Sequence, residues 1–242
     1  MKSLLLTSVM LASGLTSAAA EKVPVRGVIR AVNEAVLSTD IVARVSEMPH
    51  REGESFAKGD LLIRFDCAVL EAEIAAARSA FAAAREVYLS NSELASHNAV
   101  GKSELRASQS RMDQADAEAN AAEARSRDCE IIAPFGGRVV ETMIRAHETS
   151  GPGGPLMKIL DDTDLEIELL VPSHWLVWLK KDAAFRFSVD ETGKTYSASV
   201  SRLGGAVDPV SQTIKIFGTF QTMPQEILSG MTGNAVFSVS DG

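Results

Sequence analysis

Residues 68–128 hold no proline, a single glycine and a high density of alanine among charged side chains. No other stretch restricts the fold as strongly, because this composition favours helix over sheet. A heptad seam runs through it. Leu70, Ile74, Ala77, Phe81, Ala84, Tyr88, Asn91 and Ala95 are spaced alternately four and three residues apart. Leu105, Ser108, Met112, Ala115, Ala119, Ala122, Ser126 and Cys129 are spaced alternately three and four apart. Between the two sets, His97-Asn98-Ala99-Val100-Gly101 breaks the pattern with turn-forming residues. Two helices joined by so short a turn run antiparallel.

The spacing also predicts the register. Residues whose numbers sum to 196 face each other, so Leu70 meets Ser126, Ile74 meets Ala122, Phe81 meets Ala115, Ala84 meets Met112 and Tyr88 meets Ser108. Large opposes small in each layer, which lets the side chains interdigitate. Ala77 with Ala119 makes one thin layer. Helices of about 28 residues give a rod of about 42 Å. Cys67 and Cys129 share the same sum and stand at the base of the hairpin. They are predicted to form a disulfide that contributes about 4 kcal/mol in the loop-entropy model. The alternative is a pair of reduced, buried thiols.

Residues 1–20 read as a cleavable signal peptide. Lys2 precedes a mostly apolar run from Leu4 to Leu15, and Ala18-Ala19-Ala20 offers a small-x-small cleavage site before Glu21. The run falls short of the roughly 20 apolar residues that span a bilayer; an uncleaved anchor helix is the alternative. Gly14 stands where a lipidated cysteine would have to be. The chain is therefore expected to be exported, in a Gram-negative cell to the periplasm, where disulfides persist. Lys and Arg number 24 against 32 Asp and Glu, for a net charge of -8 with no basic block. That balance argues against nucleic acid and against anionic lipid headgroups as partners.

The flanks of the hairpin resemble each other. The first runs from Ala35 to Val45, turns at Gly53 and Gly59, and ends in a short strand, Leu61 to Phe65, before Asp66. The second runs from Ile131 to Val140, turns at Gly151 to Gly154, and ends in Leu156 to Leu160 before Asp161. Each is strand, turn and short strand ending in Asp, a degenerate internal repeat.

On these residues the chain resembles the periplasmic adaptor family, the membrane fusion proteins of HlyD type. The matching positions are Gly53, Glu54, Gly59, Asp60, Leu62 and Asp66 before the hairpin. After it they are Ala133, Pro134, Gly137, Val139, Leu156, Ile159 and Asp161. The resemblance implies a mainly β fold with an α-helical coiled-coil hairpin. A lipoyl-like barrel-sandwich hybrid, residues 34–66 and 130–161, is split by the hairpin at 67–129. A β-barrel domain takes 23–33 and 162–240. There, Leu165 to Pro172 is an alternating strand, and Phe185 to Val189 and Tyr196 to Leu203 flank a turn at Gly193. Val207 to Ile216 resembles the family's barrel signature. Leu228-Ser229-Gly230-Met231 resembles its closing turn, with Ser229 in place of a proline.

The chain also departs from the family. His147 replaces a usual glycine in the second half. A membrane-proximal domain is expected to be absent or vestigial, making this a short form. At the hairpin tip Leu94 matches the family's leucine, Gly101 or Ser103 stands for its serine, and Ser90 lies near where an arginine belongs.

Catalytic patterns are lacking, so no enzyme activity, cofactor or metal is expected. His50, His97, His147 and His174 have no ligand-spaced partners. Met157-Lys158 resembles the Met-Lys of biotin carriers but lies within a strand, not at a turn. No nucleophile elbow or phosphate loop appears. Trp175 and Trp178 read as a cap on the barrel core.

The function implied is that of a periplasmic adaptor subunit in a tripartite efflux or secretion system. It would bridge an inner-membrane transporter of RND or ABC type and an outer-membrane channel of TolC type. Self-association into a ring, commonly a hexamer, is implied too. Leu94, His97, Asn98, Val100, Gly101 and Ser103 are the expected channel-contacting residues. The competing readings are a free-standing periplasmic scaffold or binding protein, and a lipoyl- or biotin-type carrier subunit.

Overall fold

Alternating burial in most of the strands and a seam-only burial in both helices set the architecture. The structure, a computed structural model, describes residues 24–237. The expected signal peptide at 1–20 lies outside the described residues. In chain order the elements are β1 (Val25–Ala31), β2 (Glu34–Ser38), β3 (Val45–Glu47), β4 (Ser55–Phe56), β5 (Leu61–Phe65), α1 (Ala68–Ser96) and α2 (Lys102–Ser126). A 3₁₀ turn follows at Arg127–Cys129. Then come β6 (Glu130–Ile132), β7 (Gly137–Thr142), β8 (Pro155–Leu160) and β9 (Leu165–Pro172). A 3₁₀ segment, Ser173–Val177, precedes β10 (Ala184–Val189), β11 (Thr195–Asp208), β12 (Thr213–Phe220) and β13 (Thr232–Phe237). Two compact units result, one of residues 31–165 and one of the described residues 24–30 and 166–237.

The first unit is two small sheets with the hairpin inserted between β5 and β6. The sheet orders are β2-β8-β7-β4 and β3-β5-β6. Val45, Leu62, Ile63, Phe65, Val139, Leu156, Met157 and Ile159 form its core, each 4% exposed or less. Close backbone approach matters at Gly137, where an added Cβ would sit 2.0 Å from the Leu160 carbonyl oxygen.

The internal repeat is a structural one, with a constant offset of 94 residues. Val45 pairs with Phe65, and Val139 with Ile159. Gly53 N–H donates to the Val139 carbonyl and His147 N–H to the Val45 carbonyl, both at 2.9 Å. Val45 N–H donates to Glu148 O (2.8 Å) and Val139 N–H to Glu54 O (3.0 Å). Gly59 N–H reaches Ala133 O, and Gly153 N–H reaches Thr39 O. The two halves thus exchange equivalent hydrogen bonds about a local two-fold axis. Arg44, Val45, Glu47, Arg51, Glu54, Gly59 and Leu62 recur as Arg138, Val139, Glu141, Arg145, Glu148, Gly153 and Leu156. This offset corrects the sequence-based alignment of Asp66 with Asp161, because Asp66 corresponds to Leu160. Asp66 and Asp161 also differ in use. Asp66 pairs with Arg44 at 3.5 Å, whereas Asp161 caps Thr163.

The second unit is a closed barrel ordered β1-β13-β10-β11-β12-β9. Closure leaves no free sheet edge. Its inward positions alternate along each strand, as in Ile214, Ile216, Gly218 and Phe220 of β12. Gly27, Gly218 and Gly233 leave the room that the large Phe185 and Phe187 rings need. A Cβ at Gly218 would lie 2.4 Å from Phe185, and one at Gly27 or Gly233 2.9 Å from Phe187. Trp175 and Trp178 pack tilted against each other (5.2 Å), and each meets Phe237 edge-on (5.7 and 6.0 Å); Leu179 beside them is buried. Outside the barrel, Arg202 makes a bidentate pair with Glu166 (2.6 and 2.9 Å) and lies 3.8 Å over the Phe217 ring.

Candidate functional site

The hairpin is fastened at its base. Cys67 immediately precedes α1 and Cys129 ends the 3₁₀ turn after α2; a disulfide joins them, with Cα atoms 6.1 Å apart. Beside it Arg64 of β5 reaches both Glu47 of β3 and Glu130 of β6. Further out, Arg78 pairs with Glu123 at 2.6 Å and Arg125 with Glu73 at 3.7 Å, each bridging the two helices. These pairs are exposed on both sides, so each contributes at most about 1 kcal/mol. Packing along the seam holds the rod.

That seam is narrow. In α1 the residues withdrawn from solvent are Leu70, Ile74, Ala77, Phe81, Ala84, Tyr88, Asn91 and Ala95, with Ser92 beside them. In α2 the fully buried residues are Ser108, Ala119 and Ala122. Leu105, Met112, Ala115 and Ser126 are half-buried, as are Ala107, Asp116 and Glu123 on the flanks. α1 runs for 29 residues, about 43 Å at 1.5 Å per residue. α2 runs for 25, shorter than the equal lengths the sequence suggested, because its last turn tightens into the 3₁₀ turn that carries Cys129.

The tip is built by a Schellman ending. Asn98 sits in the left-handed region (φ 58°). Its N–H donates to Ala95 O (3.0 Å) and the Ala99 N–H to Leu94 O (2.9 Å). Asparagine tolerates this conformation better than other side chains that carry a Cβ. Gly101 then starts α2 in an extended conformation (ψ 151°). Leu94, His97, Asn98, Gly101 and Ser103 all lie exposed at this one end, with Val100 half-buried among them. Leu94 is 42% exposed, open for a residue of its size in a packed hairpin.

The other candidate residues have separate surroundings. Lys158 lies mid-strand in β8 and pairs with Glu34 at 2.6 Å. His50 packs edge-on against Phe56. His97 caps α1, His147 takes a turn position with φ 74°, and His174 lies exposed in the 3₁₀ segment before β10. Sequence reasoning missed the Asn98 turn geometry and the Glu166–Arg202–Phe217 cluster. An Asn four residues before the start of α2 was a usable signal for the first. Nothing local marks the second, whose members come from three strands.

No family model matches the chain. The nodulation protein NolF of Rhizobium meliloti is 24% identical over 213 residues, 82% of this chain and 58% of NolF. The chain spans just over half the length of the curated relatives it matches, 54% and 58%. Among solved structures, a MacA-MexA chimeric protein containing the Pseudomonas aeruginosa MexA α-hairpin domain superposes with a TM-score of 0.78. The identity is 19%, over 91% of this chain and 81% of that one. The membrane fusion protein Spr0693 of Streptococcus pneumoniae R6 superposes with a TM-score of 0.72 at 18% identity, over 90% of this chain and all of that one. These two solved structures and this chain share one fold.

Proposed function

We propose that this chain, which has the fold of the membrane fusion proteins, works as the periplasmic adaptor subunit of a tripartite efflux or secretion assembly. The observation that carries the reading is the hairpin. A rod of about 43 Å, fastened by a disulfide and ending in an exposed turn, suits reaching a partner. In this reading the tip residues Leu94, His97, Asn98, Val100, Gly101 and Ser103 meet an outer-membrane channel of TolC type. The lipoyl-like sandwich and the barrel pack around an inner-membrane transporter of RND or ABC type, and several copies form a ring. Export through a signal peptide at 1–20 would deliver the chain to the periplasm. The carrier reading is weaker, because Met157-Lys158 lies within a paired strand with the Lys158 amine held by Glu34.

A pull-down of tagged protein from crosslinked, detergent-solubilised envelopes, read by mass spectrometry, tests this. Recovery of one transporter together with a channel is the expected result. A transporter alone would restrict the reading to the inner-membrane half. Neither would leave a scaffold or binding protein.

A further inference from the structure

The barrel presents its most exposed apolar side chains at one end. β9 finishes and β12 starts there, with Pro172 paired to Thr213. β10 starts and β13 finishes there, with Phe185 paired to Phe237. Two loops meet on this end, residues 173–183 and the β11–β12 turn, and the Ser173 N–H donates to Gln212 O at 2.8 Å between them. Val177 of the first loop is 85% exposed and Val210 of the second 93%. Leu176 and Val207 beside them are exposed too. Trp175 and Trp178 lie half-buried against Phe237. Neither indole N–H makes a hydrogen bond among the described residues.

Shape and charge select what covers this end. Val177 and Val210 stand out singly from two loops. A protein partner would need a matching cavity for each, whereas the soft headgroup–acyl boundary of a bilayer takes in isolated aliphatic side chains. Tryptophan favours the same boundary, with its ring in the apolar layer and its N–H toward the headgroups. Lys180, Lys181 and Arg186 are exposed, and none makes an ion pair among the described residues. Of the two acids in these segments, Asp208 turns its carboxylate to the Val210 and Ser211 N–H groups of its own turn, both at 2.9 Å, and Asp182 is exposed. The chain's negative excess lies elsewhere. Residues 31–165 hold 23 Asp and Glu against 14 Lys and Arg, while residues 24–30 and 166–237 hold seven against eight. The acidic balance of the whole chain, which argued against anionic headgroups, therefore does not extend to this end of the barrel.

We propose that this end of the barrel docks on the surface of a bilayer that contains anionic lipid. Val177 and Val210 enter the headgroup–acyl boundary, the two indoles lie at headgroup level, and Lys180 and Lys181 meet the phosphates. The inference goes beyond the adaptor reading and does not depend on it, because its test contains neither transporter nor channel.

Trp175 and Trp178 are the two tryptophans of the chain, so intrinsic fluorescence reports on this end alone. Residues 21–242, the expected mature form, are mixed with vesicles of phosphatidylcholine and phosphatidylglycerol. The emission should shift to the blue, and lipids with brominated acyl chains should quench it. Affinity is read by sedimentation with the vesicles. Val177→Asp with Val210→Asp should weaken it at least about tenfold. Lys180→Gln with Lys181→Gln should weaken it about 30-fold, the attraction of two lysines to an anionic surface, and raised salt should act in the same direction. All four positions are exposed, and circular dichroism on each variant separates a lost contact from a lost fold. Binding that either pair leaves unchanged, or emission that brominated chains do not quench, overturns the proposal. So does a parent protein that ignores the vesicles altogether, the outcome expected where a protein covers this end instead.

Discussion

Gly53 and His147 hold the same backbone position in two copies of one turn. Their φ angles are 84° and 74°, and each donates its N–H to the valine that follows the arginine shared by the two halves, Val139 and Val45. In both turns a glutamate one residue on accepts the N–H of an arginine, Glu54 from Arg51 and Glu148 from Arg145, each at 2.9 Å. The geometry is common to both halves, but the residue in the left-handed position is not.

The first prediction follows from that difference. Nothing lies within 4 Å of where a Gly53 Cβ would point. Gly53→Ala therefore meets no clash and costs the dihedral penalty, about 1–2 kcal/mol, less about 0.4–1 kcal/mol for the stiffer unfolded chain. His147→Gly relieves a similar penalty but loosens the unfolded chain by about 0.4–1 kcal/mol, so it should stabilise slightly. Urea unfolding of both variants should show shifts of opposite sign. Equal destabilisation would mean His147 has contacts that offset its strain.

The hairpin base gives the second. Cys67→Ser with Cys129→Ser removes a constraint that the loop-entropy model values at about 4 kcal/mol. Amide exchange should rise first in the opening turn of α1 and the closing turn of α2, while the seam around Phe81 stays protected. Intact mass after alkylation without reductant checks the bond itself. Two added alkyl groups on the untreated protein would refute it.

At the tip, Leu94→Asp combined with Val100→Asp should abolish export and leave helix content and the disulfide unchanged. Neither side chain belongs to the fully buried set, so the hairpin should tolerate both charges. Resistance or secretion at the level of the parent protein would remove the tip from the channel contact.

The fourth prediction concerns acid. The Thr142 backbone N–H (2.8 Å), and then its hydroxyl (3.0 Å), hold the Glu52 carboxyl below its ordinary 4.5. The stability this contact contributes is complete above about pH 4.5 and is lost as pH falls through the lower, folded value. The Thr142 amide resonance should titrate with an apparent midpoint under 4.5, and Glu52→Gln should remove that titration. A midpoint at or above 4.5 would show that the contact does not favour the ionised form.

The sequence alone determined the hairpin. A 3.5-residue period is a local property, so spacing alone showed which residues turn inward and set Cys67 and Cys129, which a disulfide joins, at the same end of the two helices. Strand alternation and turn glycines were also legible, because both depend on neighbours a few residues away. The tertiary structure alone decided which strands pair, β2 with β8 and β5 with β6, across separations that no local pattern encodes. It also fixed the 94-residue offset of the repeat. Asp66 and Asp161 aligned by letter, yet the equivalence rests on hydrogen bonds exchanged between the halves, and those form only once both have folded against each other.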